Sequence, residues 1–165
     1  MVKSYIVKSI IKNIHYIWVP IFYFLVANVG SFFTAQGVKE WYPNIVKPAI
    51  TPPGGTIGVI WTVIYVLTAI SLILFINKTR HEKYFYHILS LYLFNGFVNA
   101  MWSYIFFVKN MLFLAFIDAI LIWLTVGLLI IFTWQNSRLS ALLLLPYFLW
   151  VSFASYLSFT IFRLN

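Results

Sequence analysis

The 165-residue chain contains no cysteine and only three acidic residues, Glu40, Glu82 and Asp118. The first absence excludes disulfides, thiolate nucleophiles and cysteine-ligated metals. The second argues against a soluble domain, because charged residues make up 8% of a chain that is 63% hydrophobic and cannot give it a hydrated shell. Lipid has to be the main solvent. Also missing are a Ser-His-Asp set, a P-loop, a zinc-binding HExxH and a pair of buried carboxylates, so no hydrolase or ATPase machinery is visible. The three histidines, His15, His81 and His87, fall near expected helix ends and read as solvated interfacial side chains. No metal is assigned to them, and no cofactor is required.

What the chain does have is length in apolar runs. A spanning helix needs about 20 mostly apolar residues, and five stretches qualify, at 15–35, 57–76, 85–107, 111–134 and 139–162. A membrane barrel would instead show alternating segments of about 10 residues. The fold class is therefore all-α: an integral membrane bundle of five transmembrane helices forming one domain over 1–165. The formal charge of +8 does not point to nucleic acid, since the Lys and Arg residues lie between the apolar runs and not along one polar face. They report topology. Seven basic residues (Lys3, Lys8, Lys12, Lys78, Arg80, Lys83, Arg138) flank the N-terminal side and four (Lys39, Lys47, Lys109, Arg163) the other, which predicts a cytoplasmic N-terminus and an outside C-terminus. The basic residues before Lys12 resemble the start of a signal peptide, but no small-residue cleavage site follows, so the first run is read as a mature helix.

Four of the six prolines fall in the one long connection, residues 36–56, with Trp41-Tyr42-Pro43 and then Lys47-Pro48-Ala49-Ile50-Thr51-Pro52-Pro53. Fixed φ angles stiffen this loop, and two readings are open: a lid over a site, or a connector whose aromatic rings anchor at the headgroup level. Within the spans, polar side chains are few and each is costly unless paired or lining a cavity. Asn28 and Ser31 lie in the first, Asn95 and Asn99 in the third, and Asp118 in the fourth. Asn95, Asn99 and Trp102 share a helix face that points inward, either to bond neighbouring helices or to touch a ligand. Gly96 and Ala100 form a small-residue stripe that admits another helix, within the bundle or across a dimer. Asp118 is expected to face the interior in a structural role. Trp61 with Tyr65, and Tyr147 with Trp150, can each present an aromatic pair inward, which suits a flat apolar ligand.

These residues resemble the tryptophan-rich sensory protein and translocator protein family, also called peripheral benzodiazepine receptors. The likeness runs through Trp41-Tyr42, Lys47-Pro48, Pro52-Pro53 and Trp61, then Asn99 and Trp102 to Phe107. It continues in Leu145-Pro146-Tyr147-Phe148-Leu149-Trp150, Phe153-Ala154, Tyr156-Leu157, Thr160-Ile161 and Asn165. The resemblance implies a homodimer in the plasma membrane and a pocket beneath the first loop for porphyrins such as protoporphyrin IX, sterols and isoquinoline-type drugs. The ligand-binding residues would be Trp41, Tyr42, Pro52, Trp61, Tyr65, Asn95, Asn99, Trp102, Tyr147, Trp150 and Ala154. It also implies, for some bacterial members, light- and oxygen-dependent porphyrin breakdown, whose catalytic tryptophans match Trp61 and Trp150. Porphyrin would then be ligand or substrate, and transport of porphyrin or sterol is the alternative. Two positions depart from the pattern: Ile50 stands where many relatives have Trp, and Ala100 where some have Gln.

Overall fold

The computed structural model describes residues 13–165. Lys3, Lys8 and Lys12, counted above for topology, lie outside the described residues. Five long helices follow one another: α1 (His15–Gly37), α2 (Gly54–Thr79), α3 (Phe85–Ser103), α4 (Leu112–Asn136) and α5 (Arg138–Leu164). All five are long and apolar enough to cross a membrane, once α3 is counted with the turn that extends it to Val108. Among the described residues there is no strand.

Local chemistry sets the ends. Pro53 stands just before α2, where a missing N–H costs nothing. α3 runs into a π-helical turn, Tyr104–Val108, in which Lys109 N–H bonds to Tyr104 C=O five residues back. Asn110 then stops the chain with φ of 56°, a left-handed conformation that asparagine tolerates. α4 and α5 are separated only by Ser137, so they form a tight antiparallel hairpin.

With lipid outside, there is no hydrophobic difference between core and surface, so packing and polar bonds hold the helices together. Large apolar side chains such as Phe24 and Leu149, each 68% exposed, face outward. The core gathers Val19, Leu72, Phe75, Tyr92, Val126, Leu129 and Leu144, all fully buried. Two close approaches rely on glycine. A Cβ at Gly96 would lie 2.8 Å from the Phe22 ring of α1, so the small-residue stripe is used inside the bundle. A Cβ at Gly37 would run into the backbone oxygen of Phe107, where the end of α1 meets the π-helical turn.

The start of α1 also corrects one expectation. His15 is buried, 5% exposed, and its Nε2 lies 2.7 Å from Asn77 Oδ1, while Asn77 Nδ2 donates to Tyr16 Oη at 2.8 Å. It is a helix-pairing group and not a solvated one, because the start of α1 and the end of α2 lie at the same level and an imidazole there has an amide within reach.

Candidate functional site

Hydrogen bonds fix the register of the helices around the aromatic residues. Ser71 Oγ on α2 lies 2.8 Å from Tyr92 Oη on α3 and donates to Ser140 C=O on α5 at 2.8 Å. Both pairs are antiparallel, so moving ten residues along α2 moves ten the other way along its neighbours. Trp61 therefore lies level with Trp102 and with Trp150. Three tryptophans from three helices form one layer.

Below that layer lies a polar floor. Tyr65 Oη donates to Asn99 Oδ1 at 2.6 Å, Asn99 Nδ2 donates to Tyr147 Oη at 2.9 Å, and Tyr147 Oη donates to Asn95 Oδ1 at 3.0 Å. Asn95 Nδ2 continues to Thr125 Oγ1 at 2.8 Å, and Thr125 Oγ1 donates to Leu121 C=O. Every link donates in the same direction, the arrangement in which neighbouring bonds polarise one another. The chain crosses α2, α3, α5 and α4, so both asparagines bond neighbouring helices. Thr125 is the member that sequence reasoning missed, since a threonine in an apolar run gives no signal of its partner.

Within the layer, Trp61 stacks on Tyr65 at 5.6 Å and meets Tyr147 edge-on at 5.9 Å. Tyr147 is thus an α5 ring packed on Trp61. The two clefts described, of about 630 and 480 Å³, lie at the two ends of the bundle. Trp150 packs against Phe153, and its Nε1 is buried without a hydrogen-bond partner among the described residues. A buried indole N–H ordinarily finds an acceptor. Asp118 faces inward, 8% exposed, with Oδ2 likewise unpartnered. With Asn95 opposite Ile122 and Thr125, Asp118 comes within a turn of the level of Trp102.

Above the layer sits the long loop. Trp102 stacks on Phe106 at 4.8 Å, and Phe106, 1% exposed, meets Trp41 at 5.1 Å and Tyr42 at 6.1 Å. Phe107 touches the same two loop rings. The π-helical turn places both phenylalanines there. Burial pushes the Tyr42 phenol above its usual range, so the ring stays neutral. Lys47 Nζ donates to the carbonyls of Tyr42 and Ile45 and lies 4.7 Å from the Tyr42 ring centroid, which closes the loop on itself. Asn165 holds it from outside: its Oδ1 accepts from Val46 N–H at 2.9 Å and its Nδ2 donates to Val46 C=O at 3.0 Å. These contacts fasten the loop above the layer, and the sequence reading gave Phe106 and Asn165 no part in holding it.

Pro52 and Ala154 are half-buried, at the loop's end and on α5. Of the two departures, Ile50 is 56% exposed and Ala100 is buried at 7%.

Comparison with protein families matches residues 17–164 to the TspO/MBR family. The "Tryptophan-rich protein TspO" of Bacillus cereus is 44% identical over 128 residues, covering 77% of this chain and 82% of its own. A protein of the same name from Archaeoglobus fulgidus is 39% identical over 141 residues, 82% of this chain and 87% of its own. The human "Translocator protein" is 29% identical over 157 residues, 90% and 91% of the two chains. With five membrane-spanning helices and similarity along most of its length, the chain belongs to the TspO/MBR family.

Proposed function

We propose that this membrane protein is a receptor or sensor for porphyrins, protoporphyrin IX above all, and for related flat hydrophobic ligands held at the tryptophan layer beneath the loop. The observation that carries the reading is the Trp150 Nε1–H, buried and without an acceptor at the level of Trp61 and Trp102. A porphyrin supplies an apolar face to stack on indole and acceptor atoms for that N–H. The polar floor sets the depth, because its asparagine groups are already bonded. A ligand of this size requires Tyr147 and Trp61 to part, and the loop above them is the element whose ties can be released.

Chemistry at the same layer is a second reading, favoured by the placing of Trp61 and Trp150 at one depth. An excited porphyrin can sensitise molecular oxygen, which adds across a double bond of the ring and cleaves it to two carbonyls that keep both oxygen atoms, while an indole in van der Waals contact lends an electron and takes it back as the ring is oxidised; a closed lid limits side reactions with water. Transport of porphyrin or sterol across the membrane remains the alternative role. We further place the protein in the plasma membrane, N-terminus in the cytoplasm, as a homodimer that pairs through a face other than the Gly96 stripe.

One experiment separates these readings: absorbance of the purified protein with protoporphyrin, in the dark and under illumination. Binding alone predicts a saturable dark shift that light leaves unchanged. Turnover predicts loss of the porphyrin band under light and its suppression by Trp61→Phe and Trp150→Phe. A spectrum identical to that of porphyrin in empty detergent micelles would reject both.

A further inference from the structure

The other end of the bundle carries a cleft unrelated to the tryptophan layer. It measures about 630 Å³ and lies where α2 ends and the α4–α5 hairpin turns. Its rim holds two cations, Lys78 and Arg138, and no carboxylate lines it. Among the described residues neither cation has an ion pair, and Arg138 lies 5.9 Å from the Trp134 ring centroid. The Gln135 and Asn136 side chains share the rim and make no hydrogen bond to the described residues.

Below the rim the lining turns apolar. Leu74 lies one turn below Lys78, and Leu139, beside Arg138, adds an apolar edge that is 57% exposed. One helical turn further toward the membrane centre come Ile70, Ile131 and Leu142, exposed at 42%, 58% and 47%. The first turn of α5 opens beside Arg138, and the Ser137 side chain does not cap it, being paired with Ser140 Oγ at 2.7 Å. The first N–H groups of that helix are thus left to another partner.

We infer that this cleft binds the phosphate headgroup of an anionic phospholipid, with Lys78 and Arg138 on the phosphate and the acyl chains lying along Ile70, Ile131 and Leu142. A free phosphate would use the same cations but has no use for the apolar track below them. A zwitterionic lipid fits the track but brings its own cation to a rim that already has two. Basic clefts between membrane helices take acidic headgroups for this reason, and each cation near the surface contributes about 1 kcal/mol.

The test uses the full chain, purified and returned to nanodiscs of phosphatidylcholine doped with phosphatidylglycerol, with retained lipid counted by native mass spectrometry after detergent extraction. The wild type should retain phosphatidylglycerol in preference to phosphatidylcholine. Lys78→Gln with Arg138→Gln should weaken that retention roughly thirtyfold. Lys39→Gln with Lys109→Gln, which removes the same charge from the opposite end, should leave it within twofold. Lys78→Arg should retain the lipid, and unchanged helical circular dichroism shows that each variant is folded. Equal retention by wild type and the cleft variant would overturn the proposal. So would equal loss in both double variants, which would assign the effect to net charge. Binding of inorganic phosphate to the cleft without any preference for phosphatidylglycerol would overturn the lipid assignment as well.

Discussion

Replacing Tyr147 by Phe tests the polar floor with little disturbance to packing. The ring that meets Trp61 at 5.9 Å stays, and only the hydroxyl is lost. That hydroxyl donates to Asn95 Oδ1 and accepts from Asn99 Nδ2, and the two asparagines are 1% and 5% exposed, so no solvent replaces it. Interhelical hydrogen bonds in membrane proteins contribute about 0.6 kcal/mol on average and up to about 1.7. Two of them give an expected destabilisation of about 1–3 kcal/mol. The assay is unfolding in mixed micelles by titration with a denaturing detergent, followed by far-ultraviolet circular dichroism, for Tyr147→Phe, Asn95→Leu and the double variant. Because the two residues share a bond, the double variant should fall short of the sum of the single effects. Wild-type stability in Tyr147→Phe, together with full additivity, would refute the claim that this chain of bonds ties the helices.

Other outcomes follow from the lid and the topology. Asn165→Ala removes both bonds to Val46 and should speed porphyrin release several-fold in stopped-flow fluorescence while changing association less; equal dissociation rates would remove Asn165 from the lid. Gly37→Ala forces a methyl group against the Phe107 carbonyl, which backbone cannot yield cheaply, and should destabilise by about 1–3 kcal/mol in the same unfolding assay. A reporter fused after Asn165 should be active outside the cytoplasm, since basic residues are concentrated on the N-terminal side; a cytoplasmic signal would invert the bundle and leave its five helices intact.

The helices were legible because lipid solvation demands long apolar runs, and, with α3 counted through its turn to Val108, the described helices end within three residues of the limits set by hydropathy. The inward face of α3 was legible too, through Asn95, Asn99 and Trp102, because polar groups are scarce enough in these spans to mark direction. Partners were not. A run that is apolar on every side carries no register, so the alignment of Trp61 with Trp102 and Trp150 emerges only from the Ser71 bonds to Tyr92 and Ser140. The tie between Asn165 and Val46 joins residues 119 apart and leaves no local pattern to find. His15 misled for a similar reason: its neighbour Asn77 comes from another helix.

The central claim, that a flat tetrapyrrole sits at the tryptophan layer against Trp150, is tested most directly by a dark titration. Protoporphyrin is added to wild type and to Trp150→Phe in the same micelles, and the bound fraction is read from its absorbance. The substitution keeps most of the apolar contact and removes one donor, so affinity should fall severalfold, from a saturable wild-type curve, but by no more than about tenfold, or about 1.4 kcal/mol. A saturable curve of unchanged affinity in Trp150→Phe would contradict the placement, and a wild-type titration that never saturates would contradict the binding itself.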